Sequence, residues 1–113
     1  MITLYGIPNC DSMKKARRWL ADQNVAYEFH DYKKLGIDEG LLREWIAMVG
    51  WEVLLNRRGM MWRKLTQDQR DNINEKNAID IMLSTPSIIK RPVLVKDDLI
   101  LVGFDESRYK EVL

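Results

Sequence analysis

Three stretches of this sequence predict an α/β fold, a four-stranded mixed β-sheet flanked by helices. The chain opens on a β-type run, a turn, an amphipathic helix and a second β-type run. It closes on two apolar runs split by Asp97-Asp98, followed by a short helix. Between these ends the apolar spacing is helical. A βαβ opening implies a parallel strand pair with a right-handed crossover, and a closing hairpin adds two antiparallel strands. At 113 residues the chain has room for one core and not for two, so residues 1–113 read as one domain.

Each element has a local reason. Ile2-Thr3-Leu4-Tyr5 is the first strand, and Gly6-Ile7-Pro8-Asn9 is turn chemistry. Residues 11–23 form a helix with Met13, Ala16, Trp19 and Leu20 on one face, and Lys14, Lys15, Arg17 and Arg18 mostly on the other. In Val25 to Phe29, Val25, Tyr27 and Phe29 alternate with Ala26 and Glu28, which predicts the second strand. Asp38 caps a helix over 39–49 with Leu42, Trp45, Ile46 and Val49 as its apolar stripe, stopped by Gly50. The middle is less regular and includes Leu54-Leu55 and the turn Asn56-Arg57-Arg58-Gly59. Thr66 caps a short helix, and Ile73 to Leu83 supplies another, ended by Ser84-Thr85-Pro86. Pro92 to Lys96 and Leu99 to Val102 are the hairpin strands, and Asp105 to Leu113 is the closing helix. The order is that of the thioredoxin topology, with a helical insertion over approximately residues 38–85.

The bulk numbers narrow the function. The composition is 46% hydrophobic and 31% charged, with Lys+Arg 18 against Asp+Glu 17. A net charge of +1 argues against direct nucleic-acid binding or attraction to an anionic membrane. No apolar run is long enough to span a membrane, and no basic-then-apolar leader opens the chain. One cysteine forms no internal disulfide, and the expected compartment is the reducing cytoplasm.

That cysteine, Cys10, is the most informative residue. It sits where a strand and turn lead into a basic helix, so unpaired N–H groups and the positive end of the helix dipole favour its thiolate. Lys14 and Lys15 add charge at the same end. The blander reading is a small buried hydrophobe, which gives no reason for the turn or the cations.

Three segments carry a family resemblance: Leu4 to Ala16 around Cys10, Leu54 to Gly59, and Ile88 to Leu94 with Val102-Gly103-Phe104 behind it. On these, the chain resembles the arsenate reductase (ArsC)/Spx family of thioredoxin-like proteins, and within it the small bacterial YffB-type branch. The resemblance implies a cis Arg91–Pro92 bond facing Cys10, and a catalytic Arg91 whose guanidinium lowers the thiol pKa and binds oxyanions or carboxylates. It implies a second arginine from the middle segment, with Arg58 in the better register and Arg57 the fallback. A solvated basic turn is the plainer reading of that pair. It also implies glutathione as co-substrate, held by Lys14, Arg58, Arg57 and the backbone beside Pro92, with glutaredoxin as a further redox partner. Asn9 either hydrogen-bonds near the sulfur or shapes the turn, and the turn is the better reading.

Two departures matter. Glutathione-dependent arsenate reductases carry a third arginine near the end of the last strand, where this chain has Leu101-Val102-Gly103-Phe104. Thioredoxins and Spx-type regulators carry a second cysteine where this chain has Met13. An external thiol must therefore complete any redox cycle.

His30 has no second imidazole or thiol at ligand spacing, so no metal is expected. Trp19 and Trp45 fit core faces, while Trp51 and Trp62 flank the basic turn. The expected activity is a single-cysteine, glutathione-dependent thiol reductase or transferase, with arsenate reduction as a narrower variant. The rival is a Spx-like regulator that docks on RNA polymerase without catalysis.

Overall fold

The structure is a computed structural model describing Met1–Leu113. It divides into two compact units, Met1–Asp31 with Arg91–Leu113, and Tyr32–Lys90.

The first unit holds the sheet. Its strands are β1 (Ile2–Gly6), β2 (Glu28–Asp31), β3 (Val93–Lys96) and β4 (Leu99–Val102), in the order β2-β1-β3-β4. β1 pairs parallel to β2 and antiparallel to β3, and β3 pairs antiparallel to β4. The predicted fold class and mixed sheet are therefore present. β1 lies between two neighbours and buries Ile2, Leu4, Tyr5 and Gly6, which is why it reads as a nearly continuous apolar run.

Register places Phe29, Leu4, Leu94 and Leu101 in one row across the four strands. Onto this row pack α1 (Asp11–Asp22), through Met13, Ala16, Trp19 and Leu20, and the final helix, through Tyr109. The Tyr109 ring stands edge-on to Trp19 at 5.5 Å and to Phe104 at 4.9 Å. Burial raises the Tyr109 phenol well above its ordinary pKa, so it stays neutral.

The second strand corrects the sequence expectation. The β ladder runs over Glu28–Asp31, not Val25–Phe29. Asn24 takes a left-handed φ of 56° and the Val25 N–H donates to the Leu20 carbonyl at 2.9 Å. The backbone after α1 is thus used to close the helix before pairing starts at Glu28. Val25, Tyr27 and Phe29 still pack on the core, so the alternation reported burial correctly and pairing incorrectly.

The second unit is helical: α2 (Tyr32–Leu35), α3 (Glu39–Val49), α4 (Trp51–Leu54), α5 (Met60–Lys64), α6 (Gln67–Asp71) and α7 (Glu75–Ser84), then a 3₁₀ turn at Pro86–Ile88. Asp38 caps α3 as expected, accepting from the Leu41 N–H at 3.1 Å. Thr66 and Gln69 form a reciprocal capping box on α6. α7 starts at Glu75 rather than Ile73, because the Asn74 side chain accepts from the Asn77 N–H and sets the boundary. α2, α4 and α5 were not expected from the sequence. Each is about one turn long, and no side-chain cap announces α4 or α5. Back in the first unit, α8 (Glu106–Val112) closes the chain, capped by Asp105. No helix is long and apolar enough to cross a membrane.

Candidate active site

Gly6 ends β1, the turn through Pro8 and Asn9 follows, and Cys10 enters α1 as its N-cap. Cys10 has extended backbone, φ −139° and ψ 134°, and its carbonyl accepts from the Lys14 N–H at 2.9 Å. The sulfur therefore sits before the first free N–H groups of a three-turn helix while its own backbone is already anchored to it. Asn9 is exposed in the turn.

Five influences set the charge of the sulfur. Partial burial pushes the Cys10 pKa up. Against it act the Met13 N–H, a hydrogen bond from the Arg91 side chain, the Ser12 N–H and the positive charge of Arg91. The sum is a thiol held below its ordinary range. The uncharged sulfur closes no capping hydrogen bond of normal geometry. The N–H groups count because they stabilise its anion.

Arg91 comes from the other end of the chain. The Arg91–Pro92 bond is cis, as the resemblance implied, and β3 starts at the next residue. The buried Pro92 has no N–H to give the sheet, which suits a residue just before a strand. Its carbonyl accepts from the Gly103 N–H at 2.8 Å, tying the Arg91-Pro92 corner to the end of β4.

Met13 is fully buried where thioredoxins carry their second cysteine. A Cβ added to Gly6 would fall on the Met13 Sδ and Cε. The glycine and the methionine are thus two halves of one packing arrangement, and no second thiol stands near Cys10.

The structure brings Cys10, Arg91 and Pro92 into one site. Lys14 lies one turn along α1, in a groove of about 370 Å³ along the exposed side of that helix. Its lining includes Arg18, Asp22, Phe104 and Glu106, which sequence reasoning had not singled out. The one available signal was the spacing Asp11, Lys14, Arg18, Asp22 on one helix face.

Arg57 and Arg58 belong to the helical unit. The Asn56 side chain accepts from the Arg58 N–H at 3.1 Å and folds the turn that carries both. Arg57 stacks over Trp51 at 5.8 Å and over Trp62 at 5.4 Å from the ring centres. The two tryptophans that flank the turn in sequence therefore hold one guanidinium between them. His30, opposite Tyr5 in the sheet register, packs against its ring with centres 4.8 Å apart and planes tilted by 42°. No group of three His, Cys, Asp or Glu is placed to hold a metal ion.

A four-stranded βαβ-ββα sheet, a cysteine at the N-cap position of the first helix and a cis-proline just before the third strand define a thioredoxin-like protein with a single cysteine. The comparisons agree with that class and narrow it. The sequence pattern of the ArsC family matches residues 5–112, and the chain belongs to that family. Among solved structures, the protein described as YffB superposes with a TM-score of 0.96 at 50% identity, covering 100% of this chain and 99% of its own. An arsenate reductase-related protein of Brucella melitensis superposes at 0.80 with 49% identity, over 98% of this chain and 92% of its own. A global transcriptional regulator Spx of Streptococcus agalactiae is 28% identical over 115 residues, covering 100% of this chain and 83% of the regulator.

Proposed function

We propose that this chain is a glutathione-dependent thiol reductase or thiol transferase of the cytoplasm, with Cys10 as its nucleophile. The observation that carries the reading is the Cys10 thiol, held below its ordinary range by helix N–H groups and Arg91 in a site with no second cysteine. The Cys10 thiolate attacks the glutathionyl sulfur of a mixed disulfide, forming a Cys10–glutathione disulfide and releasing the substrate as a thiolate. A second glutathione thiolate attacks the glutathionyl sulfur of that disulfide. Oxidised glutathione leaves and the Cys10 thiolate returns. One free glutathione is consumed per mixed disulfide: its thiol proton ends on the released substrate thiol, and its sulfur leaves bonded to the substrate's former glutathionyl group as oxidised glutathione.

Arg91 stabilises Cys10 as the leaving thiolate in the second step, and the backbone beside Pro92 receives the peptide of glutathione. Lys14 answers one of its carboxylates, and Asn9 shapes the turn. Glutaredoxin is a further thiol donor under the same scheme. An oxyanion substrate such as arsenate is the narrower variant. It is weakened by the absence of an arginine from Leu101 to Phe104, since an oxyanion calls for several convergent donors.

The test is the pH dependence of Cys10 alkylation in wild type and Arg91→Ala, with mass spectrometry of the Cys10 adduct under oxidised glutathione. A low thiol pKa that rises without Arg91, and one glutathione per chain, support the reading. A thiol of ordinary pKa, indifferent to Arg91 and unmodified by glutathione, sinks it.

One observation favours a second reading, docking on RNA polymerase as a regulator: the similarity to Spx runs the full length of this chain. Met13 in place of a second cysteine removes a disulfide switch from such a protein without removing a docking surface. Co-purification of the polymerase with Cys10→Ser as well as with wild type is its signature.

A further inference from the structure

We infer that the groove along α1 seats the γ-glutamyl end of glutathione, a site separate from the cysteine–arginine pair that reacts. The inference rests on the glutathione reading above and adds to it where the co-substrate lies. The groove encloses about 370 Å³, within the range of small-molecule sites. It follows the helix from Asp11 to Asp22, about 16 Å at 1.5 Å per residue. Its near end is one turn from Cys10, whose carbonyl holds the Lys14 N–H.

The charges select the ligand. Lys14, Lys15 and Arg18 supply three cations, and Asp11, Asp22 and Glu106 supply three carboxylates. None of the six is ion-paired to another. A simple oxyanion would meet as many carboxylates as cations here, so the lining disfavours it. A ligand carrying two carboxylates and one ammonium, as glutathione does, can satisfy both signs. The floor is apolar and firmly held. Trp19 and Phe104 line it, and both rings stand edge-on to the buried Tyr109. Such a floor supports the methylenes of a γ-glutamyl arm without having to be ordered on binding.

The experiment is an amide NMR titration of the full chain with S-methylglutathione, whose blocked sulfur excludes exchange at Cys10. Shifts concentrated on Lys14 to Asp22 and Phe104 to Glu106 are expected. Glu106→Gln and Arg18→Ala, both exposed positions, are each expected to weaken binding roughly tenfold, about one charge-assisted hydrogen bond. N-acetyl-S-methylglutathione, which lacks the ammonium, should lose as much against wild type and nothing more against Glu106→Gln. Shifts confined to another face, such as the Asn56–Gly59 turn, overturn the groove assignment and leave the glutathione reading standing. No binding, together with no glutathione adduct on Cys10, overturns both.

Discussion

The sheet-bearing unit and the helical unit are built by different kinds of contact. In the sheet unit the partners are distant in sequence. Leu4 stands opposite both Phe29 and Leu94, and Arg91 meets Cys10 from the far end of the chain. In the helical unit one antiparallel bridge, Leu55 with Ile89, joins distant segments, and the side-chain hydrogen bonds that start the helices are local. Asp38, Thr66 and Asn74 each accept from an N–H three residues on. Chemistry that needs convergent groups from several directions is therefore found in the first unit, while the second is shaped by caps and short turns. Damage in the sheet unit should spread to reactivity, whereas damage in the helical unit should stay local and small.

The largest effect expected from this contrast is on activity. Cys10→Ser should reduce thiol exchange to background with an unchanged circular dichroism spectrum, and residual turnover would move the nucleophile out of the sheet unit. Leu94→Ala, fully buried in the row across the strands, should cost about 2–5 kcal/mol in denaturant unfolding. Gly6→Ala should cost about 1–3 kcal/mol, because the new methyl lands on Met13. Restoring stability with Gly6→Ala/Met13→Ala would show that these two residues form one packing unit. In the helical unit, Asn74→Ala should cost only about 1 kcal/mol, the price of one cap. A loss as large as that of Leu94→Ala would erase the contrast.

The smallest effect is electrostatic. The folded Cys10 pKa lies below its unfolded value, so ionisation contributes stability above the unfolded pKa of about 8.5 and loses it as pH falls through the folded value. Wild type should therefore gain stability over Cys10→Ser as pH rises through that window. The gain should shrink in an Arg91→Ala background.

Local chemistry was readable from the residues. The N-caps at Asp38 and Thr66, the stop at Gly50, the α1 stripe and the hairpin across Asp97-Asp98 all follow from spacing and side-chain type. Cys10 was recognisable because a turn before it and a basic helix after it stand next to it in sequence. The second strand was misplaced because Val25 satisfies its N–H on the helix it has just left, a choice made in three dimensions. The one-turn helices α2, α4 and α5 were missed because so short a segment carries too little periodicity to read.

The sequence by itself determined the class of fold and the place of its one cysteine at the start of a helix, since strand, turn, helix and cap are decided by near neighbours. Only the tertiary structure decided what surrounds Cys10. It set Arg91 on the sulfur, buried Met13 against Gly6, held Arg57 between Trp51 and Trp62, and turned one face of α1 into a groove of unpaired charges. The physical reason is that a charge or a packing contact depends on distance in space, and sheet pairing is what makes residues from opposite ends of this chain neighbours.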